Sequence, residues 1–376
     1  MRRYDPAAIK QLARNAALNL GATDVRIAAA ADAGEVRRAL HESFTRGDLA
    51  TWPYDDAYAA KAADPSHVLA GARSVICIAI LYEAHVPEVR PNEGRVSNYV
   101  GSGDYHHRVK KLLRDVADRI DSEAGESVTA IACDTKPIAE RAFAARAGLG
   151  WIGKHTNLIS PVSGSFVFLG EIVTTLDLPP DPPLRKSCGS CTRCIPACPT
   201  GALRGDYTID ATRCIADLTQ RTDAIPRAMR PLIGTWVWGC DLCQLACPPN
   251  SVVVSSSKAS KETPTPELVR LLRLRSGEFK KKYARSAMGW RGGAILRRNA
   301  AVALGNALDR SAVPALAESL NRDPHALVRS HAAWALGRIG SPSALSELRA
   351  RGTIEADAAV REEIAAALEP FAKARR

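Results

Sequence analysis

No stretch of the sequence approaches the roughly 18 consecutive apolar residues that a membrane-spanning helix requires. The first twenty residues also lack the apolar core of a secretory signal peptide, so we expect a cytoplasmic protein with no membrane partner. Hydrophobic residues at 46 % and charged residues at 24 % exclude a largely disordered chain. With 376 residues the chain is too long for one ordinary core, and we expect two or three domains.

An acidic surplus is also missing, because the formal net charge is +11. Residues 251–376 hold 22 basic and 12 acidic residues and therefore carry almost all of this excess. A positive surplus confined to one part of a chain favours a polyanionic partner, whose phosphates release counterions when lysine or arginine neutralises them. A soluble basic domain with no such partner is the alternative.

The pattern of apolar residues predicts an α+β protein of three segments. Residues 1–178 mix helical and strand patterns and predict an N-terminal α/β domain, with strands at 74–81, 157–160 and 165–173 and a helix at 136–147. Prolines at 179, 180, 182 and 183 interrupt any helix or strand and mark a boundary. A cysteine-rich segment follows over 179–254, and a linker over 255–266 separates it from a helical segment, 267–376.

The last segment contains an internal repeat. Residues 296–305 match residues 328–337 at an offset of 32, and residues 360–365 continue the series. Three copies of one helix predict a short HEAT-like α-solenoid, in which each unit buries its apolar face against its neighbours. Arg297, Arg329 and Arg361 recur beside the apolar stripe and predict a basic ladder; bracing of adjacent repeats by these arginines is the alternative.

Eight of the ten cysteines lie between positions 188 and 247. Structural disulfides are not expected without a secretion signal, so metal binding or catalysis is the better interpretation. One run, Cys188-x2-Cys191-x2-Cys194-x3-Cys198-Pro, has the spacing of two-cluster bacterial ferredoxins. A second run, Cys240-x2-Cys243-x3-Cys247-Pro, has Val237 where its first cysteine would stand. Cys214 can supply the missing thiolate. The predicted ligand sets are Cys188, Cys191, Cys194 and Cys247 for one 4Fe-4S cluster, and Cys198, Cys214, Cys240 and Cys243 for the other.

Other uses of these cysteines are disfavoured. A zinc ribbon has no need of the extended run with its terminal proline, and the CxxxCxxC triplet of radical S-adenosylmethionine enzymes is absent. With four thiolates on each cluster, both clusters relay electrons without binding substrate directly. A further group must therefore carry out the chemistry. Cys77, in an apolar run, is predicted to be a buried strand residue.

Three other motifs have both a functional and a structural interpretation. Residues 148–153 match GxGxxG, but they follow a helix and precede strands, so the glycines are interpreted as structural. Asp104-x-His106 is similar to the cobalt-binding DxHxxG motif, but Val109 replaces its glycine and histidine ligation is not expected. Asp134 precedes the predicted helix and is either its cap or a proton donor, which would need a raised pKa. Cys133 lacks a partner that would make it a nucleophile.

Residues 134–157, together with the cysteine set and the repeat tail, resemble the epoxyqueuosine reductase family over essentially the whole chain. These are cobalamin- and iron-sulfur-dependent enzymes that complete queuosine in the wobble position of certain tRNAs. His155 departs from the family pattern, in which asparagine is expected after the lysine.

The resemblance implies that residues 1–178 form a cobalamin-binding catalytic domain without a histidine ligand from the protein. It places the catalytic proton donor on Asp134. The residues implied to contact cofactor or substrate are Tyr99, Tyr105, Arg141, Lys154, His155, Thr156 and Asn157, with core packing the alternative for the two tyrosines.

The family chemistry also implies the partners. Electrons from an external donor would pass through both clusters to cobalamin, while Asp134 protonates the epoxide oxygen and water is lost. The basic tail would bind the anticodon stem-loop of the tRNA through Arg297, Arg298 and Arg329. Two other functions stay open at this point: a corrinoid reductive dehalogenase, and a ferredoxin-like electron carrier that docks to proteins through its repeats.

Overall fold

The computed structural model describes residues 4–86, 88–256 and 265–373. These residues divide into two compact units. The first unit holds residues 4–85, 104–212 and 242–256, and the second holds 86, 88–103, 213–241 and 265–373. Within these ranges, every helix is too short or too polar to cross a bilayer.

The elements follow one another in a mixed order that confirms the α+β prediction. The strands are β1 (Asp24–Ala29), β2 (Ser74–Leu81), β3 (Arg95–Val96), β4 (Thr129–Ala132), β5 (Trp151–Ile152), β6 (Leu158–Ile159), β7 (Val167–Thr174) and β8 (Trp236–Trp238). The helices are α1 (Pro6–Asn19), α2 (Gly34–Thr45), α3 (Asp56–Ala63), α4 (Tyr105–Ala124), α5 (Glu140–Arg146), α6 (Ile215–Leu218), α7 (Leu242–Leu245), α8 (Ser251–Ser256), α9 (Leu268–Leu272), α10 (Ser276–Lys282), α11 (Gly293–Ala307), α12 (Val313–Arg322), α13 (Ala326–Ile339), α14 (Pro342–Gly352) and α15 (Ala358–Lys373).

The first unit is built on a four-stranded antiparallel sheet of order β1-β2-β7-β4. Strand β2 has the predicted bounds and is buried along almost its whole length. Helices α1 and α4 cover one face of the sheet, and α5 packs against the other. Because side chains alternate across a strand, Cys77 points toward α5, where it lies fully buried as predicted.

Helix α4 lies directly on the central strand β7. A Cβ at Gly170 would come within 2.9 Å of the Val109 side chain, so the strand needs glycine there for the helix to approach. Val109 is therefore a core residue. The Asp104 side chain caps α4 by accepting from the backbone N–H of His106 at 3.1 Å. This packing fixes the first turn of α4, with its tyrosine and histidine, beside the end of the sheet.

Helix α5 begins later than predicted. The sequence predicts a helix from residue 136, but the helix starts at Glu140 and Ala139 occupies the N-cap position. Residues 134–139 instead form tight turns, and Asp134 adopts the left-handed backbone conformation with φ 56°. Asp134 therefore does not cap α5, and the capping alternative for this residue is wrong.

Glycines at equivalent repeat positions explain the close helix packing of the second unit. A Cβ at Gly305 of α11 would lie 2.9 Å from the Cα of Ala335 in α13. One repeat later, a Cβ at Gly337 would lie 3.0 Å from the Cα of Ala367 in α15. The offset of 32 thus corresponds to successive helices that meet backbone to backbone, and the HEAT-like prediction is confirmed.

The repeated arginines brace neighbouring repeats. Arg297 donates from Nε to Asp323 at 2.6 Å, and Arg329 pairs with Glu355 at 3.0 Å. Arg361 donates to the backbone carbonyl of Glu355 at 3.0 Å. The first two side chains keep only 13 % and 14 % of their surface exposed. These contacts match the bracing alternative, and contact of Arg297 and Arg329 with RNA stays a prediction.

Arg298 is the exception that corrects the sequence-based assignment. Its side chain is fully buried, and its guanidinium donates to the backbone carbonyls of Leu218, Arg221 and Asp223 at 2.7 to 3.0 Å. Buried guanidinium groups need such acceptors, because an unpaired charge inside a protein is costly. Arg298 therefore holds the segment before β8 against α11 and has no surface to offer RNA.

Candidate active site and cysteine centre

The first unit contains an open cleft of about 670 Å³, lined by α2, α3, the 134–142 segment and residues 207–209. The cleft brings together three residues of the predicted site: Asp134, Arg141 and Thr156. Tyr54 and Tyr58, which sequence reasoning missed, stack on one another in its wall with ring centroids 4.2 Å apart. No histidine lines this cleft among the described residues.

The carboxylate of Asp134 faces two side chains from the start of α4. Tyr105 donates its hydroxyl to Oδ2 of Asp134 at 3.1 Å, and Nε2 of His106 lies 2.9 Å from the same oxygen. The other ring nitrogen of His106, Nδ1, lies 2.8 Å from Oδ1 of Asp104. The histidine therefore bridges two carboxylates, and neither ring nitrogen is left for a cobalt ion.

This contact sets the charges of the pair. The hydrogen bond to Asp134 raises the pKa of His106, with help from Asp104, although burial opposes the shift. In turn, the hydrogen bond to His106 lowers the pKa of Asp134 below its usual range, again against burial. The raised pKa that a proton-donor role for Asp134 was expected to require is therefore not found. Near neutrality, Asp134 is ionised and the proton resides on the histidine.

Glu140 holds the strained backbone at Asp134. Its carboxylate accepts the backbone N–H of Asp134, which adopts a conformation that residues other than glycine rarely take. Burial raises the pKa of Glu140 to about 7, and the negative charge of Asp134 adds to the shift. Glu171 on β7 is completely buried, and burial together with Glu140 raises its pKa well above the usual value. Glu140, which lines the cleft, and the buried Glu171 therefore retain their protons to a higher pH than ordinary glutamates do.

Residues 153–157 form a turn that connects β5 with β6 and reaches the cleft. Arg141 donates from Nη1 to the carbonyl of Thr156 at 2.6 Å, which ties this turn to α5. His155 is only 2 % exposed, and burial lowers its pKa to about 4, so the ring is neutral. Asn157 donates its backbone N–H to Nδ1 of His155 at 3.3 Å. His155 and Asn157 thus shape the turn and do not line the cleft.

Lys154 points toward the cysteine-rich segment. Its backbone N–H donates to Sγ of Cys188 at 3.4 Å, and its Nζ donates to the carbonyl of Gly189 at 2.9 Å. One turn therefore joins the cleft, through Thr156, to the first predicted cluster ligand, through Lys154.

The first predicted ligand set converges within the first unit. Burial raises the pKa of the Cys247 thiol to about 12, and the nearby thiols of Cys188, Cys194 and Cys191 reinforce the shift. The same two effects, burial and the neighbouring Cys188 and Cys191, raise the pKa of Cys194. A cysteine more than fifty residues downstream is thus brought to the CxxCxxC run, as the ligand assignment requires.

The second predicted set is divided between the units. Cys198 and Cys243 belong to the first unit, where Sγ of Cys198 accepts the backbone N–H of Ala202 at 3.4 Å. Cys214 and Cys240 belong to the second unit, directly before α6 and shortly after β8. This set stays a prediction. No three His, Cys, Asp or Glu side chains of the described ranges are placed to hold a single metal ion; a cube has no such requirement, because each thiolate binds a different iron.

Tyr99 and Cys133 do not line the cleft. Tyr99 lies in the second unit, where its hydroxyl accepts from Nε1 of Trp238 at 2.9 Å. Burial raises the pKa of Cys133 to about 12, consistent with its rejection as a nucleophile. The Asp-x-His pair is the sequence signal for His106, but its spacing indicates a cobalt ligand and not a contact with Asp134. Glu140 gave none, because its role depends on a backbone conformation.

Three family models match the chain. The model for a 4Fe-4S double cluster binding domain matches residues 187–250, and the model for HEAT repeats matches residues 294–369. A model described as epoxyqueuosine reductase QueG matches residues 63–135. The first match lies within the cysteine-rich segment, 179–254, and the second lies within the helical segment, 267–376.

Relatives and solved structures agree with these matches. The chain is 38 % identical over 294 residues to the epoxyqueuosine reductase of Bacillus anthracis, covering 74 % of this chain and 76 % of that protein. It is 36 % identical over 346 residues to the enzyme of Xanthomonas campestris pv. campestris, covering 89 % and 96 %. An epoxyqueuosine reductase crystallised with an epoxyqueuosine-modified tRNA-Tyr stem loop matches with a TM-score of 0.89 and 32 % identity, over 97 % of this chain and 99 % of that one. The Bacillus subtilis enzyme, with its catalytic loop swung out of the active site, gives the same TM-score at 30 % identity and the same coverage.

Proposed function

The chain belongs to the epoxyqueuosine reductase family, and we propose that it reduces epoxyqueuosine to queuosine in the wobble position of tRNA. It is an oxidoreductase of a cobalamin- and iron-sulfur-dependent family. One observation of the site carries the proposal. Asp134, which contacts its proton-bearing partner His106, lines a cleft that the 153–157 turn joins to the converging cysteines.

The residues present fit both cofactors. Thiolates at ferredoxin spacing are the ligands that 4Fe-4S clusters use, and the first four converge in the structure. The cleft has the size of a ligand site, its walls are largely apolar, and its lining offers no histidine to cobalt among the described residues. When bound, reduced cobalamin supplies the two electrons that the epoxide needs.

Asp134 acts as the proton donor in this proposal. More than half of its side chain is exposed, so its carboxyl can reach a base that enters the cleft. Protonation of the epoxide oxygen turns a poor leaving alkoxide into an alcohol, and a second proton lets it depart as water. Glu140 holds the backbone of Asp134, and the Tyr105 hydroxyl orients its carboxylate.

We assign Arg141 and Thr156 to the wall of the cleft that contacts the cofactor. The Arg141 guanidinium donates to the carbonyl of Thr156 and supplies positive charge to the wall of the cleft. Lys154 connects this wall to Cys188 and so sets the distance between the cleft and the first cluster. We assign the second cluster to Cys198, Cys214, Cys240 and Cys243, with an external electron donor supplying its electrons.

The tRNA partner requires a basic surface; in the repeats Arg298 is buried, and Arg297 and Arg329 are paired with carboxylates and offer little exposed surface. The residues around α10 do, because the side chains of Arg275, Lys280, Lys281 and Arg285 are exposed. Trp290 follows them, 53 % exposed, with the Arg291 guanidinium 3.7 Å from its ring centre. Cations that neutralise phosphates, with an aromatic face beside them, suit a folded RNA such as the anticodon stem-loop. We therefore assign RNA contact to this surface, which we call the α10 surface.

The test uses the full chain, reconstituted anaerobically with iron, sulfide and cobalamin and then chemically reduced. It is incubated with an RNA stem-loop that carries epoxyqueuosine, and the digested nucleosides are analysed by mass spectrometry. We expect a nucleoside that has lost one oxygen atom. If the epoxide is returned unchanged while a halogenated phenol is dehalogenated, the proposed substrate is wrong. If neither is consumed, the chain is better described as an electron carrier.

A further inference from the structure

We propose that His106, held by Asp104, is the proton relay that recharges Asp134 during epoxide reduction. The inference builds on the proposed function, because it concerns the source of the protons that the reaction consumes. It assigns a role to the Asp104-x-His106 pair that family resemblance and cofactor binding leave unexplained. His106 acts through Asp134 and is therefore a positioning and proton-supplying residue.

The geometry forms a continuous line of hydrogen bonds. Nδ1 of His106 lies 2.8 Å from Oδ1 of Asp104, and Nε2 lies 2.9 Å from Oδ2 of Asp134. An ionised Asp104 accepts only, so Nδ1 keeps its hydrogen. Nε2 then has two states: it donates to the Asp134 carboxylate, or it accepts from the Asp134 carboxyl group. Moving the proton between these states requires no rotation of either side chain.

The ring is fixed by the elements around it. The Asp104 cap and the first turn of α4 set its position, and Tyr105 stacks on it with ring centroids 4.1 Å apart. Tyr105 is itself stacked on Phe168 of β7, at 4.3 Å and an interplanar angle of 4°. The histidine side chain still keeps 29 % of its surface exposed, so it can exchange protons with water. An imidazole ring that is held in place and partly exposed to solvent is suited to relay protons.

The charged neighbours favour a protonated ring. Asp104 and Asp134 contact it directly, and both favour the imidazolium. His107 lies beyond Asp104, at 3.7 Å from its carboxylate, with 90 % of its side chain exposed. Lys110, one turn further along α4, favours the ionised form of Asp134. Two carboxylates thus flank the ring, and the nearby positive charge acts on Asp134.

The proton balance shows why a relay is needed. Conversion of the epoxide to an alkene and water consumes two electrons and two protons. Asp134 is ionised at rest, so the first proton leaves Nε2 of His106, passes to Oδ2 of Asp134 and goes on to the epoxide oxygen, after which the ring regains a proton from water. His106 then transfers a second proton from Nε2 to Oδ2 of Asp134 and again regains one from water. The second proton therefore reaches the departing oxygen through the same carboxyl group, while the reduced cofactor supplies both electrons.

The first test reads the ring directly and does not depend on turnover. The apparent pKa of His106 is measured by NMR titration of the full chain labelled on its histidine rings. We expect a value above the ordinary 6.5 in the wild type and a return toward 6.5 in Asp134→Asn and Asp104→Asn. An ordinary value in the wild type, unchanged by either substitution, would overturn the proposal.

The second test compares single-turnover rates of pre-reduced His106→Gln and His107→Gln across pH. We expect His106→Gln to lose about 10²-fold in rate, in line with the loss of a general acid, and to lose the wild-type fall in rate at rising pH. Added imidazole should restore part of the rate. His107→Gln, an exposed neighbour on the same turn, should match the wild type.

The outcomes separate this inference from the proposed function. If the wild type converts epoxyqueuosine and His106→Gln does so at the same rate with the same pH profile, the relay is wrong and the function stands. If the wild type fails to convert it, the function is wrong, and the NMR titration still decides whether His106 carries the proton of the pair.

Discussion

The backbone N–H of Asp134 donates to the carboxylate of Glu140, six residues further along the chain. This bond closes the turn that places Asp134 in a left-handed conformation at the edge of the cleft. A hydrogen bond to this carboxyl group contributes about 0.5–1.5 kcal/mol when Glu140 is protonated and about 1.5–3 kcal/mol when it is ionised, which is enough to decide between two loop positions. In a related enzyme the catalytic loop is seen swung out of the active site. We interpret Glu140 as the residue that keeps this segment in.

Glu140→Ala should therefore lower kcat by about tenfold or more, because it frees the Asp134 segment, while cofactor content is unchanged. Glu140→Gln keeps an acceptor oxygen and should retain most of the activity. The measurement is steady-state turnover beside iron and corrinoid content. Equal rates for Glu140→Ala and the wild type would contradict the positioning role.

The buried carboxyl pair predicts a pH dependence of stability. The pKa of Glu140 is raised from 4.5 to about 7, so the folded chain binds more protons than the unfolded chain between these values. The associated stability is fully present below pH 4.5 and is lost as pH rises through about 7. For one such group, the free energy of unfolding falls by at most about 1.4 kcal/mol for each pH unit.

Glu171→Gln removes the second buried carboxyl group, whose own pKa is raised by burial and by Glu140, and it should flatten the fall of stability with pH. Glu123→Gln, an exposed glutamate at the end of α4, is the matched control and should leave the curve unchanged. Denaturant unfolding between pH 5 and pH 8 under anaerobic conditions measures both. A curve with the same slope in Glu171→Gln and the wild type would show that the pair does not couple to folding.

The cysteine assignment predicts iron content. Reconstituted wild-type chain should hold about eight iron atoms, four in each cube. Cys247→Ser removes one corner of the first cube and should reduce the content toward four. Cys77→Ala, a buried cysteine outside both sets, should keep about eight. A wild-type value near four, or full iron content in Cys247→Ser, would break the assignment.

The α10 surface predicts a salt-dependent contribution to RNA binding. Replacing Lys280 and Lys281 with glutamate should weaken binding of the stem-loop and lower the slope of log K against log salt by about 1.5 to 2. Arg310→Glu together with Arg349→Glu, exposed arginines elsewhere in the second unit, is the charge-matched control. Binding titrations at several salt concentrations test this. An equal loss in both double variants would indicate a general charge effect without a defined surface.

The sequence predicted those parts of the structure that depend on local pattern. The continuous apolar run of β2 and the offset of 32 between repeat helices each reflect a periodicity that can be read directly, and both are confirmed. The environment of Asp134 could not be read in this way. His106 lies 28 residues before it, and only the packing of α4 on the sheet brings the two together.

The repeat arginines show a different limit of sequence reasoning. Arg297 and Arg329 recur at the same position of the repeat, and each meets a carboxylate 26 residues downstream. The partner also recurs, but as aspartate in one repeat and glutamate in the next, so the pairing was not recognised. The positive charge of the segment therefore predicted arginines that are free to bind RNA. The pairing with carboxylates instead places Arg297 and Arg329 between neighbouring repeats.

We propose that Asp134 delivers protons to an epoxide that is reduced in this cleft. The most direct measurement compares wild type and Asp134→Asn, both loaded with clusters and cobalamin and fully reduced, on the epoxyqueuosine stem-loop. The wild type should form queuosine, whereas Asp134→Asn should keep its iron and its corrinoid spectrum but form almost none. Wild-type product formation by Asp134→Asn would contradict the account.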